Sequence, residues 1–284
     1  MASTSDDLVD RIRTYYDATT TQSYLANWSP DALSMHLGRD GEGVTSHEDA
    51  FRHANRFLAD LLAVGPATRA LDIGCGVGGT AIWVAADRGA HVTGVNIVPL
   101  HIELAGKFAA ERRVAERTRF VEADALASGL PEGSFDVAWS FESACHVEDA
   151  RALFAHVRSL LAPGGRYAIV DYFRGTSGDA RHVDTLCAGW ALPGLRTIAE
   201  TVTAVESAGF TVTSAVVDTS AVLNSALVMR NMAARRLTQI AFERVLTGAT
   251  DPVYERHTTA SIACTDGMLD GAIEYGVIVA SRGD

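Results

Sequence analysis

The chain lacks the cysteine pairs, the basic excess and the long apolar runs that mark several functional classes. Its four cysteines, Cys75, Cys145, Cys187 and Cys264, lie far apart and form no C-x-x-C pair. That spacing excludes the usual zinc frameworks and points to reduced thiols in a cytoplasmic compartment. Basic residues are outnumbered, 24 Lys and Arg against 35 Asp and Glu, for a formal net charge of -11. A protein that grips phosphate backbones needs clustered Lys and Arg, so no nucleic-acid partner is expected. A soluble acidic surface accounts for the charge. No stretch approaches the roughly 18 apolar residues of a membrane span. "MASTSDDLVDRIRTYY" lacks the apolar centre of a signal peptide, so a soluble, cytoplasmic protein with no membrane partner is expected. Repeats and low-complexity segments are absent. So are a Ser-His-Asp set and an Asp-Asp-Asn metal site, and the expectation is metal-independent chemistry.

What is present is 284 residues, 48% hydrophobic and 21% charged, which is ordinary globular composition with enough chain to bury a large core. From residue 69 the pattern alternates. "RALDIG" reads as a buried strand and "GGTAIWVAADRG" as a helix closed by Gly89. "AHVTGVNI" is a second strand, followed by the helix "PLHIELAGKFAAERR" with Pro99 in its first turn. "TRFVEAD" and "SFDVAWS" are the third and fourth strands. "DARALFAHVRSLLA" is a helix capped by Asp149 and ended at the turn Pro163 to Gly165, and "RYAIVDYF" is a fifth strand. Strands alternating with helices predict a parallel sheet covered on both faces. Later come the helix "RTIAETVTAVESAGF", the strand "FTVTSAVVDTS", the long helical pattern "AVLNSALVMRNMAARRLTQIAFERVL" and a last strand "AIEYGVIVASR". The reading is an N-terminal helical cover over residues 1–60 and a catalytic domain over 61–284. Lid insertions are expected at about 174–196 and 221–270.

The stretch "ALDIGCGVGGTAIWVAADRG" fits two ligands. Gly74, Gly76 and Gly79 spell the dinucleotide fingerprint G-x-G-x-x-G. Asp72 with Gly74, Gly76 and Gly78 spells an acidic residue followed by a glycine loop, suited to S-adenosylmethionine (SAM). Both use a strand end, a tight turn that lets backbone approach a ligand, and a helix start. The residues after the other strands discriminate. Asn96 stands where a nicotinamide dinucleotide site usually places Asp or Glu for the ribose. A carboxylate at position 72 is unwelcome beside a pyrophosphate and welcome beside the ammonium of a methionine moiety. Charge complementarity favours SAM.

Together, "LDIGCGVGGTAIWVA", "HVTGVNI", "FVEADAL", "PEGSFDVAWSFESACHVED" and "LLAPGGRYAIVDYF" resemble a class I SAM-dependent methyltransferase over Ala70 to Phe173. "YYD", "HLG" and "ESACHVED" resemble its small-molecule branch, which includes tocopherol, sterol and dimethylglycine enzymes and natural-product tailoring enzymes. The resemblance implies a Rossmann-like α/β fold: a doubly wound, seven-stranded, mostly parallel sheet whose last strand is antiparallel. It implies SAM as cofactor and a small-molecule methyl acceptor, and the aromatic and apolar lid residues lean toward a hydrophobic natural product. A SAM-binding cyclase or scaffold that does not methylate is the alternative, and a homo-oligomer is left open.

Cofactor contact is expected from Tyr16, Asp72, Gly74, Cys75, Gly76, Gly78, Asn96, Ile97, Asp124, Ala125 and Phe141. Asp124 stands where it could accept a bond from the adenine amine. In similar enzymes an N-terminal tyrosine closes over the cofactor, and an aromatic face suits a sulfonium; Tyr16 is the candidate. His146 and Glu142, just past the fourth strand, are the candidate catalytic groups. The bland readings stand beside these: His146 as part of a helix start, Tyr15, Tyr16, Tyr24, Trp28 and His36 as packing, and Trp190, Met229 and Met232 as core or as an apolar substrate pocket.

Overall fold

A computed structural model describes residues 4–16, 18–248 and 251–283. Asp17 of the "YYD" group and the first three residues lie outside the described residues, as do 249–250 of the expected lid and the final Asp284. The chain opens with helices α1 (Thr4–Tyr15) and α2 (Ala18–Ser23), a π-helical turn (Tyr24–Trp28) and α3 (His47–Leu61). Alternation then begins: β1 (Arg69–Ile73), α4 (Gly79–Arg88), β2 (His91–Asn96), α5 (Pro99–Glu111), β3 (Thr118–Glu122), β4 (Phe135–Phe141), α6 (Ala150–Leu160) and β5 (Leu161–Arg174). After these come α7 (Ala180–Gly189), α8 (Ile198–Ser207), β6 (Phe210–Val217), α9 (Leu223–Thr247), α10 (Pro252–Asp270) and β7 (Ile273–Arg282).

The seven strands form one sheet in the order β3-β2-β1-β4-β5-β7-β6, with β7 antiparallel to both β5 and β6. This is the doubly wound sheet that the residue patterns predict. The central strands bury both faces, as parallel strands under two helical layers must. Along β1, Ala70 belongs to the apolar core on one side, while Leu71 and Ile73 belong to the core on the other. Strand order reverses between β1 and β4, which leaves a crevice at their carboxyl ends.

Local chemistry explains the helix ends. Asp149 Oδ1 accepts the Ala152 N–H at 2.9 Å and starts α6 as expected. Thr197 and Glu200 form a reciprocal capping box on α8. Two details differ from the sequence reading. Helix α6 stops at Leu160, and Pro163 to Gly165 lies in the irregular first part of β5, where the pairing with β4 slips. The stretch expected to be a lid also contains the second long helix α10, packed on α7 and α9, which the sequence patterns did not separate. Its buried positions include Thr258, Ser261, Thr265 and Gly267, so its inner face carries no clean apolar stripe.

Candidate active site

The crevice at the carboxyl ends of β1, β2 and β4 deepens into a cavity of about 670 Å³. Of the residues singled out from the sequence, Tyr16, Asp72, Gly74, Cys75, Gly76, Asn96, Ile97, Asp124, Ala125, Phe141, Glu142 and His146 all line it. Gly78 does not. It is the left-handed N-cap of α4, with φ +85°, and a Cβ there would stand 2.9 Å from Phe120 and 3.0 Å from Ala105. Its work is helix entry and packing against α5 and β3. Gly79 is needed for a different close approach, since a Cβ would fall 2.3 Å from the Leu33 carbonyl oxygen of the N-terminal segment.

Asp72 sits inside β1 between Gly94 of β2 and Trp139 of β4. It is 2% exposed, and its Oδ2 has no hydrogen-bond partner among the described residues. Burial pushes the carboxyl up to about 7, opposed by the neighbouring Trp139 indole. That indole N–H itself makes no bond of ordinary geometry. Asn96 spends Oδ1 on the Val98 N–H at 2.8 Å, and Asp124 spends Oδ1 on the Leu126 N–H at 2.8 Å. Both keep a second polar atom for a ligand. Phe141 stacks on His36, with centroids 3.9 Å apart and planes 11° apart.

Glu142 has φ +51°, a backbone state that costs a residue with a Cβ on the order of 1–3 kcal/mol. Its carboxylate is held by three donors. Oε1 accepts the Leu37 N–H at 2.8 Å and the Tyr275 hydroxyl at 2.6 Å, and Oε2 accepts the Tyr172 hydroxyl at 2.7 Å. Burial raises its pKa to about 7, and these donors oppose the rise. The arrangement is that of an anchor joining the N-terminal segment, β5 and β7.

His146 lies between Tyr16 and Ala191. The Tyr16 hydroxyl is 3.4 Å from Nε2, and Nδ1 has no bond of ordinary geometry among the described residues. Burial lowers its pKa to about 4, with the Ala191 backbone opposing, so the ring is neutral at physiological pH and a weak base. The structure also brings in residues the sequence reading passed over: Met35, His101 and Ser143 on the wall, and Leu8 and Ile12 of α1 above it. His101 had a usable signal, because it lies in the first turn of the helix after β2 and so at the ligand edge. Met35, Leu8 and Ile12 had none, since they reach the site only through tertiary packing. Arg13 helps fix that packing by donating from Nε to the Ile97 carbonyl at 3.1 Å.

Residues 71–169 match a family model described as a methyltransferase domain. The sterol 24-C-methyltransferase ERG6B of Gibberella zeae is 30% identical over 168 residues, covering 59% of this chain and 43% of that protein. The 27-O-demethylrifamycin SV methyltransferase of Amycolatopsis mediterranei is 36% identical over 156 residues, covering 53% of this chain and 57% of that protein. The chain thus spans about half the length of these curated relatives. Among solved structures, the 4+2 cyclase SpnF superimposes with a TM-score of 0.81 at 20% identity, over 97% of this chain and 96% of that one. At that identity the likeness shows the fold alone. The chain thus matches a methyltransferase domain over residues 71–169, and its seven-stranded sheet is that of the Rossmann-like methyltransferase fold.

Proposed function

We propose that this protein is a SAM-dependent methyltransferase acting on a small, predominantly apolar acceptor of the natural-product kind. One observation carries the reading: Asp72, a buried carboxylate whose Oδ2 has no hydrogen-bond partner among the described residues, lines a cavity of about 670 Å³ at the switch point of the sheet. A buried carboxylate without a partner is costly, and a cationic ligand group offsets that cost. The other residues fit the same cofactor. Asp72 would hold the methionine ammonium, the Asn96 amide a ribose oxygen, and the free oxygen of Asp124 the adenine amine. Ile97, Ala125 and Phe141 supply apolar walls. The family match and the curated methyltransferase relatives support this assignment.

When bound, SAM supplies a methyl group on a positively charged sulfur, already activated for in-line displacement. The chain's own residues have the tasks of alignment and exclusion of water. Tyr16 covers the cavity beside His146, with α1 packed above. His146 is neutral and would accept an acceptor proton at Nε2, but its low basicity leaves alignment as the larger contribution. Glu142 holds the wall in place through its three bonds. In this reading residues 1–60 are the cover and 61–284 the catalytic domain, with lids at 174–196 and 221–270. Among the described residues no helix is long and apolar enough to cross a membrane, which is consistent with work on a small molecule in the cytoplasm.

Incubation with SAM and a panel of apolar hydroxylated, aromatic and alkene acceptors tests the reading. S-adenosylhomocysteine formed together with a methylated acceptor supports it. SAM binding without turnover on any acceptor would point to a cyclase or scaffold instead.

A further inference from the structure

A second cavity of about 560 Å³ lies between the π-helical turn and the α9–α10 pair. Its walls include Trp28, Met229, Met232 and Tyr254, and its rim carries the exposed residues Gln22, Asn27, Arg235 and Gln239. A narrow pocket of about 30 Å³ lies between the two cavities. It shares Tyr16, Met35, His36, Glu142 and His146 with the inner cavity, and Tyr24, Trp28 and Met229 with the outer one. Two of these three neck residues, Tyr24 and Trp28, are the ends of the π-helical turn. Short π segments are rare and concentrate at functional sites.

The outer walls favour an amphiphile. Methionines and aromatic rings adapt to an irregular apolar body. Arg236 and Arg244 are paired with Glu243 and Glu255. Arg235 on the same helix is exposed at the rim and makes no ion pair or hydrogen bond with another described residue. It is free to meet an anionic group.

We infer that the outer cavity seats the body of the methyl acceptor, a bulky apolar molecule bearing an acidic group. The neck of Tyr24, Trp28 and Met229 admits only its slender reacting end to the His146 side. The inference rests on the methyltransferase reading and deepens it. It makes Met229 and Met232 determinants of which acceptors fit, with no part in holding the cofactor.

Anilinonaphthalene sulfonate, an apolar body with one anionic group, is a suitable probe, titrated in the presence of saturating S-adenosylhomocysteine. One dye molecule should bind. Its affinity should fall by roughly tenfold or more in Met232→Trp and in the exposed-site variant Ala26→Trp, and severalfold in Arg235→Gln. Affinity for S-adenosylhomocysteine and the melting temperature should stay at wild-type values in all three, which separates a filled cavity from a misfolded chain. Dye binding unchanged in both tryptophan variants, or displaced by S-adenosylhomocysteine, overturns the assignment of the outer cavity. Unchanged binding in Arg235→Gln overturns the acidic group. A wild type that binds dye in this variant-sensitive way but never binds S-adenosylhomocysteine keeps the cavity as a ligand site and refutes the methyltransferase reading.

Discussion

The Tyr16 hydroxyl stands 3.4 Å from Nε2 of His146, across 130 residues of sequence. The contact brings the N-terminal helices against the loop after β4, where the inner cavity meets the neck. It also places His146 under cover, and that burial accounts for its low pKa.

His146→Ala should lower turnover by roughly 10²-fold, the low end for a general base because the ring is only weakly basic, with SAM affinity retained, for an acceptor that must lose a proton. An unperturbed imidazole would put a step in the rate near pH 6.5, roughly. With the folded value lowered to about 4, the wild-type rate should instead be flat across neutral pH and fall only as the pH approaches that value. A step near the unperturbed pKa that disappears in the variant would show that the ring is not buried as described. Turnover and pH profile both surviving in the variant would identify an acceptor that is already nucleophilic.

Asp72→Asn keeps the volume and removes the charge. Affinity for SAM should fall by roughly tenfold to a hundredfold, about 1.5–3 kcal/mol. Because the carboxyl is raised to about 7, a cationic ligand should drive it to the ionised form. Binding at neutral pH should therefore release a proton, and affinity should rise as the pH is raised toward that value. Calorimetry in two buffers of different ionisation enthalpy measures the release. Unchanged affinity in the folded variant, with no proton released by wild type, removes Asp72 from the cofactor site.

Glu142 separates anchoring from proton transfer. Glu142→Ala strands two tyrosine hydroxyls and the Leu37 N–H in a buried place, and should cost more than about 3 kcal/mol of stability. Glu142→Gln keeps an oxygen for Leu37 and Tyr275, while the Tyr172 hydroxyl can turn to accept from the new amide. It should unfold within about 1 kcal/mol of wild type and turn over within about tenfold. A stable Gln variant that loses turnover by about a hundredfold or more would make Glu142 a proton carrier.

Two glycine substitutions should act in opposite directions. Gly79→Ala drives a Cβ against the Leu33 carbonyl and should destabilise by roughly 1–3 kcal/mol. Gly106, exposed within α5, has nothing within 4 Å of the added methyl, so Gly106→Ala should stabilise by roughly 0.5–1 kcal/mol. Thermal unfolding of the two variants reads both signs, and a stable Gly79→Ala would show that the N-terminal segment does not close on α4.

Two sets of buried groups oppose each other in the pH dependence of stability between pH 4.5 and 7, roughly, and the histidines are the larger set. His36, His101, His146 and His257 are each lowered to about 4 by burial. The unfolded chain takes up their protons as the pH falls below the ordinary histidine value, so stability is lost on that side. Asp72 and Glu142 are raised to about 7 and Asp171 to about 6. The unfolded chain releases their protons as the pH rises above the ordinary carboxyl range, so stability is lost in the other direction. His47 and His156 are lowered by burial as well, so the histidines outweigh the carboxyls and stability should fall as the pH is lowered from about 6.5 toward 4.5. Denaturant unfolding across this range reads the sign, and stability that rises on acidification would show that the buried carboxyls dominate.

The strand and helix order, the switch-point crevice and the carboxylate at position 72 were legible in the residues alone. Each depends on neighbours within one βα unit: an apolar run, a glycine turn, a cap. Gly78 was assigned to the ligand because spacing cannot tell a glycine that faces a cofactor from one that enters a helix. Helix α10 was not separated from the stretch around it because its inner face is built of small and polar residues, which carry no periodic apolar signal.

By itself, then, the sequence determined the alternation that makes a parallel sheet, and the charge and turn chemistry at the end of its first strand. Both are written in short stretches whose physics is local. Only the tertiary structure brought three donors onto the Glu142 carboxylate, because they come from residues 37, 172 and 275. Only packing decided the basicity of His146 and the neck between the cavities, since both arise where the N-terminal helices meet elements more than a hundred residues away. Burial and shape at such a junction are properties of the assembled surface, and no window of sequence contains them.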